Sequence, residues 1–430
     1  MILIVYTKAY RNGSEMFERT AETMLLEFKQ TYNKEIVCRG ITGKKELTEI
    51  FNTISDRKQT IDEYHFIGHS GMYGPMYGTV KYPEQYSPYE LKNLVIPFSA
   101  SGKAFFHCCR SARWFAPFFA DAFKIESYGY HWYTAFSSSK KKYRRVRRNS
   151  KSVYAIGCKG YKSHGLIGTL KKHLGFQPLE VMNSFLPGGK NIDSTYNEVA
   201  NEYNRVFQDI KVRKDEWNWL NKHLPDKQDI VVADIGCGNG ALLKELSPKI
   251  KMGIGLDISA SLIENAKKLN ESRENIQFKL IDSPKLPLED KSIDLFVSLL
   301  SFRYLDWDPL MDEIKRVLTP NGKILIIDMV TVSPKWYELP QLITSKFKHY
   351  IQRYTNPVFY KNLTQLVSKA SWKNMLKYNP IRSEHEMKWY LESRFPGKRV
   401  EKINVGWNSC ILAFDSGKVE AIRDIHLTYP

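Results

Sequence analysis

Apolar residues along this chain fall into two patterns: short unbroken runs of strand length, and longer stretches with apolar positions three and four apart. From Met1 the order is MILIVYT, a helix from Phe17 to Tyr32, EIVCRGI, a helix from Lys45 to Ser55, and EYHFIGHS. KAFFHCC, a helix from Trp114 to Phe123, and ESYGYHWYTAF read as one strand continue the series, and SVYAIGCKG adds a further strand to the same domain. Alternation of strand and helix predicts a mostly parallel sheet with helices on both faces. A Gly- and Pro-containing stretch from Leu186 to Lys190 then precedes a second alternating series that starts near Asp193. The pattern predicts two α/β domains, 1–165 and 193–430, joined by a linker over 166–192. Two domains are also the expectation for 430 residues.

Composition changes this picture little. Apolar residues make up 43% and charged residues 26%, enough to bury a core. The apolar start ends at Tyr6, Thr7 and Lys8, too soon for a signal peptide, and no stretch is long and apolar enough for a membrane span. The six cysteines show no CxxC spacing and lie mostly in apolar segments, which predicts a reduced, cytoplasmic protein without a disulfide framework or zinc site.

The net charge of +18 is concentrated rather than spread. Residues 1–135 carry 16 Lys/Arg against 14 Asp/Glu, residues 136–192 carry 13 against 1, and residues 193–430 carry 35 against 31. Eight of the basic residues fall between Lys140 and Lys151, in a predicted loop over 138–151. A solvated, self-repelling loop is the favoured reading over an anionic surface contact, and no aromatic platform interleaves it as single-strand binding would require.

Candidate chemistry begins with DIGCGNG, where an apolar strand runs into a glycine-rich turn and a helix. Gly236, Gly238 and Gly240 let the backbone turn sharply and approach a ligand, and Asp234 precedes them. Seventeen residues on, the strand MGIGLDIS ends in Asp257, whose carboxylate can accept two ribose hydroxyls. The strand IQFKLIDS ends in Asp282, which can accept from an adenine amino group, and IDLFVSLLS and KILIIDM supply two further strands.

With GLDIS, the LPLEDKSIDLFVS run and the RVLTPNG turn in this order, the segment resembles class I S-adenosylmethionine-dependent methyltransferases of the ubiquinone and menaquinone biosynthesis type, over about Asp193 to Met329 and again at NSCILAFD. The resemblance implies a Rossmann-like, seven-stranded domain that uses S-adenosylmethionine. It places Cys237, Ile258, Ser283 and Ser298 beside the cofactor, although Cys237 also reads as a small core residue. It assigns STYNEVANEYN as a lid, where Tyr196 and Tyr203, seven apart, share a face that equally fits the apolar stripe of a surface helix. Relatives acting on small molecules often carry a histidine after the fourth strand; here SFRYLDWD puts Arg303, Tyr304 and Asp306 there, so Tyr304 and Asp306 become the acceptor-side candidates. The aromatic and Lys-rich stretch from Trp336 to Tyr378 reads as a helical cap, inserted at about residues 331–380, over a small or medium organic acceptor. An RNA or protein acceptor reached through the basic loop is the rival.

In the first half, His69 follows the strand of YHFIGHSG and Cys109 follows that of AFFHCCRSA. A thiolate beside an imidazole on neighbouring strand ends is the layout of a cysteine nucleophile and its partner. Both segments resemble the caspase-like and CHAT peptidases, relatives of clostripain and separase, over about Tyr64 to Ala112. The resemblance implies a caspase-like α/β sandwich with His69 and Cys109 as the catalytic pair and a peptide or protein as its partner. Ser70 departs from the pattern, standing where a glycine amide would help hold an oxyanion. A module that regulates the second domain or presents its substrate, and an interaction scaffold without catalysis, are the alternatives.

Overall fold

The computed structural model describes residues 1–71, 74–79, 83–86, 88–159, 166–188, 196–227, 229–281, 285–332, 334–378, 382–407, 409–420 and 422. The chain divides into two compact units, Met1–Ile192 and Asp193–Pro430.

In the first unit, β1 (Ile2–Thr7), α1 (Ser14–Thr31), β2 (Ile36–Ile41), α2 (Lys44–Asp56), β3 (Ile61–Ile67), β4 (Phe98–His107), α3 (Phe115–Phe123) and β5 (Glu126–Gly129) alternate as the hydrophobic pattern predicts. Every residue of β1 is buried, as expected of a strand in the middle of a covered parallel sheet. Helix α2 buries Leu47, Phe51 and Ile54, one face at helical spacing. Three corrections apply. ESYGYHWYTAF is two strands, because β5 ends at Gly129 and β6 (Tyr133–Ser137) joins another sheet. The turn between them is held by Glu180, whose carboxylate accepts the amides of His131 and Trp132 at 2.8 and 2.9 Å, a long-range contact that local pattern does not show. SVYAIGCKG, as β7 (Tyr154–Cys158), belongs to that second sheet rather than the main one.

The third correction concerns the expected linker over 166–192, which is part of the fold. It contains α4 (Leu166–His173), β8 (Leu179–Glu180) and β9 (Asn183–Phe185). The main sheet runs β9-β5-β4-β3-β1-β2, with β9 antiparallel at the edge, and the second runs β6-β7-β8. Between α1 and the second sheet lies a cleft walled by Met24, Phe28, Ile156 and Leu179, with His65 and His107 in its lining.

The second unit carries one seven-stranded sheet. Its elements are α5 (Ala200–Val206), α6 (Lys214–His223), β10 (Val231–Ile235), α7 (Ala241–Leu246), β11 (Met252–Asp257), α8 (Ala260–Leu269), β12 (Ile276–Leu280), β13 (Ile293–Leu299), α9 (Trp307–Val317) and β14 (Leu318–Thr331). Three cap helices follow, α10 (Leu339–Thr355), α11 (Pro357–Ser368) and α12 (Ala370–Tyr378), then α13 (Glu384–Arg394), β15 (Val400–Val405) and β16 (Ser409–Lys418). The order is β12-β11-β10-β13-β14-β16-β15, with β16 antiparallel to both neighbours. The expected TPNG turn lies inside β14 as a bulge, where the pairing jumps from Ile293↔Leu318 to Leu295↔Lys323 and Asn321 takes a φ of 67°. Strand order, not strand direction, switches at β10, since its parallel neighbours β11 and β13 continue the chain on opposite sides, which puts a crevice at the carboxyl ends of β10, β11 and β13.

The buried histidines of the first unit give a pH-dependent stability. Glu63 accepts from His65 Nε2 at 3.1 Å, which leaves His65 Nδ1 to accept from His107 Nε2 at 3.2 Å. Burial, then the neighbouring His65, pushes the His107 pKa down to about 3. The unfolded chain takes up a proton below pH about 6.5 that folded His107 refuses, so stability falls as pH drops from there toward 3. Urea unfolding followed by hydrogen exchange of β3 and β4 should lose about 1–2 kcal/mol between pH 7 and 5. His107→Gln, which keeps a donor toward His65, should remove the His107 share of that loss and leave the part due to His65 and His69, whose pKa values burial also lowers; an unchanged pH dependence would count against the assignment.

Candidate cofactor and active site

The turn after β10 is built from left-handed glycines. Gly236, Gly238 and Gly240 have φ of 70°, 56° and 74°, where a side chain is strained. A Cβ on Gly236 would also lie 2.2 Å from Ser301 Cβ, and one on Gly240 2.5 Å from Phe278 Cζ. At Gly238 only the Tyr203 ring approaches, at 3.5 Å, so the backbone is open there. The amides of Gly236 and Cys237 donate to the Leu256 carbonyl, and the Gly238 amide donates to Asp257 Oδ2 at 2.8 Å.

Asp257 is buried, and its Oδ1 accepts from the Ser259 amide at 2.8 Å. Burial raises its carboxyl pKa, while these amides favour the charged form. Each oxygen keeps acceptor capacity for a further donor, which suits a vicinal diol. Beside it Ile258 and Leu280, at adjacent strand ends, are each 51% exposed, an apolar pair that a flat base could cover. Asp282 and Ser283 lie outside the described residues.

Asp234 supplies the sharpest chemical signal. Its carboxylate is 2% exposed, and Oδ1 has no hydrogen-bond partner. Burial, with the charge of Asp257, pushes its pKa up to about 8. It lines a cleft with Gly236, Cys237, Tyr203 and Arg213, and the Arg213 guanidinium lies 4.1 Å from the centre of the Phe207 ring. An orphaned buried carboxylate and a guanidinium in one cleft match the ammonium and carboxylate of an amino-acid moiety. The orphaned oxygen, the glycine cradle and the diol acceptor together fit S-adenosylmethionine.

The lid is tied to this turn. Tyr196 stands before a short 3₁₀ turn, Asn197–Val199, that leads into α5, and its ring meets Tyr203 edge-on at 5.3 Å. Asn239 donates to Asn204 Oδ1 at 2.8 Å and to the Phe207 carbonyl at 3.1 Å, and Ser259 Oγ donates to Asn197 Oδ1 at 2.7 Å. Sequence reasoning missed Asn197 and Asn239; the amide side chain inside DIGCGNG was the available signal.

On the acceptor side, the Tyr196 hydroxyl donates to that of Tyr304 at 3.2 Å, and Trp372 of the cap meets Tyr196 edge-on at 5.9 Å. Asp306 is half-buried just before α9. Ser298, expected beside the cofactor, has a fully buried side chain that bonds Ser301, which in turn donates to the Ile235 carbonyl. It therefore supports the glycine turn from below. Beneath Tyr304, Arg303 pairs with Asp328, both buried, through its guanidinium and its amide. Burial opposes the Arg303 charge, but the Asp328 carboxylate together with Tyr304 and Tyr196 more than offsets it and holds the guanidinium protonated.

In the first unit, His69 and Cys109 follow neighbouring strands β3 and β4, and Ser70 Oγ donates to the Cys109 carbonyl. Their side chains are engaged elsewhere. His69 Nε2 bonds the Asn12 carbonyl at 3.0 Å between Tyr10 and Phe17, and Cys109 Sγ bonds Thr134 Oγ1 at 3.2 Å. Burial lowers the His69 pKa, so the ring is neutral at pH 7. Cys108 is fully buried, and burial raises its thiol pKa.

A methyltransferase-domain family model matches residues 233–326. The chain is 33% identical over 124 residues to a malonyl-[acyl-carrier protein] O-methyltransferase of Marinomonas sp., covering 27% of this chain and 46% of that one. It is 27% identical to a demethylmenaquinone methyltransferase of Lactococcus lactis, over 40% of this chain and 71% of the relative. The chain spans about half the length of the first curated relatives it matches. Among solved structures, a putative S-adenosylmethionine-dependent methyltransferase from Methanococcus maripaludis is 19% identical over 55% of this chain and 98% of its own, with a TM-score of 0.35.

A cationic ligand at Asp234 would favour its ionised form, so binding below pH 8 should release a proton. Calorimetry of S-adenosylhomocysteine binding at pH 7, in two buffers of different ionisation enthalpy, should show that release in the wild type and its loss in Asp234→Asn. Equal apparent enthalpies in the two buffers for the wild type would rule the pairing out. The family match lies on the strands, glycine turn and acidic residues just described, so the second unit carries a match to a methyltransferase domain, over residues 233–326, in a crevice whose side chains fit S-adenosylmethionine.

Proposed function

We propose that this chain transfers the methyl group of S-adenosylmethionine to a small or medium organic acceptor held beneath the cap helices. The observation that carries the reading is the aromatic enclosure at Tyr196, which joins the lid, Tyr304 after β13 and Trp372 of the cap next to the glycine turn. Such an enclosure suits a flat or apolar molecule. Two relatives point the same way: one is named for a malonyl-[acyl-carrier protein] and the other for demethylmenaquinone. In the transfer, the acceptor's electron pair forms the new bond to the methyl carbon, and the S–CH₃ pair returns to sulfur. S-adenosylhomocysteine and a proton from the acceptor are the remaining products. Alignment and exclusion of water dominate such a step, which accounts for an acceptor side rich in rings and poor in bases. Asp257 would hold the ribose, Asp234 and Arg213 the amino-acid end, and Tyr304, with Asp306 close by in sequence, would position the acceptor.

The basic loop gives the rival little support. Lys140 pairs with Glu27 at 2.6 Å, and Arg19 of α1 donates to the Ser150 carbonyl at 2.9 Å. We read the first unit as a caspase-like module that meets a peptide or protein partner, on the strength of the two neighbouring strand ends.

Asp257→Ala and Arg213→Met should each weaken S-adenosylhomocysteine binding by about tenfold or more, the scale of one lost charge-assisted contact. Unchanged affinity in Asp257→Ala would remove the ribose assignment. For the first unit, iodoacetamide followed by mass spectrometry should label half-buried Cys109 faster than Cys108, at a rate His69→Ala leaves unaltered, because the ring faces Asn12. A large drop on His69→Ala would instead establish a working thiolate–imidazole pair.

A further inference from the structure

Helix α10 presents an apolar face to solvent. Ile343, Phe347, Tyr350 and Tyr354 recur at intervals of four, three and four and are 67, 66, 70 and 84% exposed. Trp336, just before the helix, and Val358, just after it, are 82% and 70% exposed and extend the face at both ends. The same helix buries Leu342, so it is anchored to the unit by one side and bare on the other. Solvent-facing rings at this density are uncommon on a surface that meets only water.

Along the segment that begins with this helix the charge has one sign. From Leu339 to Ser383 the sequence holds eight Lys/Arg and no Asp or Glu. Lys348, Arg353 and Lys361 make no ion pair among the described residues, whereas Lys369 is occupied by Glu202. An amphipathic helix with Phe, Tyr, Trp and Ile on one side and unpaired cations beside them has the composition of a segment that lies in the headgroup region of an anionic bilayer. Rings with a polar tip, such as Tyr350, Tyr354 and Trp336, settle at that boundary. No helix among the described residues is long and apolar enough to cross a membrane, so the contact would be one of lying on the surface.

We propose that the outer face of α10, with Trp336 and Val358 at its ends, is a docking surface for anionic lipid membranes. The aliphatic members, Ile343 and Val358, favour lipid over nucleic acid, which would use rings and cations but gains nothing from branched alkyl groups. The inference requires nothing of the methyl acceptor and stands if the acceptor reading fails.

Co-sedimentation of the full chain with vesicles tests it directly. Binding to phosphatidylserine/phosphatidylcholine vesicles should exceed binding to phosphatidylcholine alone by about tenfold and weaken with added salt. Ile343→Ser/Phe347→Ser/Tyr354→Ser should lose about tenfold on the anionic vesicles with an unchanged thermal melt, since these side chains are exposed. Replacing the basic residues of the loop from Lys140 to Lys151 by Ser should alter binding less than about twofold. The proposal is overturned by failure to bind anionic vesicles, by wild-type binding of the triple variant, or by a dominant effect of the loop. It is equally overturned if light scattering shows a dimer that the triple variant abolishes, or if a single-stranded oligonucleotide binds this face more tightly than the vesicles do.

Discussion

The hydrogen bond from the Gly238 amide to Asp257 Oδ2, 2.8 Å long, joins the two strand ends on which the second unit's chemistry depends. It locks a left-handed glycine turn after β10 to the acidic end of β11, so each fixes the other. Glycine takes the three positive φ values without strain, and at Gly236 the neighbouring Ser301 leaves no room for a Cβ. Ser298 and Ser301 brace that turn from β13 and the residues just after it, and Asn239 ties its outer side to the lid. The result is a rigid floor in a crevice where the Asp234 carboxylate is buried with one oxygen unpartnered.

The acceptor side follows the opposite logic. Its charge is internal and already paired: Arg303 and Asp328 are both buried and bonded to one another at the ends of β13 and β14. Removing one partner of such a pair typically costs about 3–5 kcal/mol, so the pair serves to fix the chain that carries Tyr304. What faces the substrate is then a set of rings drawn from three sequence regions, Tyr196, Tyr304 and Trp372.

Elements carried by local pattern were legible in the sequence. The all-apolar β1, the amphipathic α2 and the strand-turn-helix around DIGCGNG needed only neighbours in the chain. Long-range contacts were not legible. The break after Gly129 depends on Glu180, some fifty positions on, and the same segment, expected as a linker, supplies the edge strand β9. Site residues divided likewise: Gly236, Gly238 and Asp257 stood out by type and spacing, whereas Asn197, Arg213 and Asp328 are ordinary polar residues until the fold places them. Strand ends brought His69 and Cys109 to neighbouring positions, yet side-chain direction, which sequence does not encode locally, turned one to Asn12 and the other to Thr134.

The central claim is that the glycine turn, the end of β11 and the lid form one cofactor site. Hydrogen exchange of the full chain with and without S-adenosylhomocysteine tests it most directly. Protection should appear together in peptides covering Gly236–Gly240, Asp257–Ser259 and Tyr196–Phe207, and leave the first unit's strands unchanged. Protection confined to other segments, or none at saturating ligand, would contradict the account.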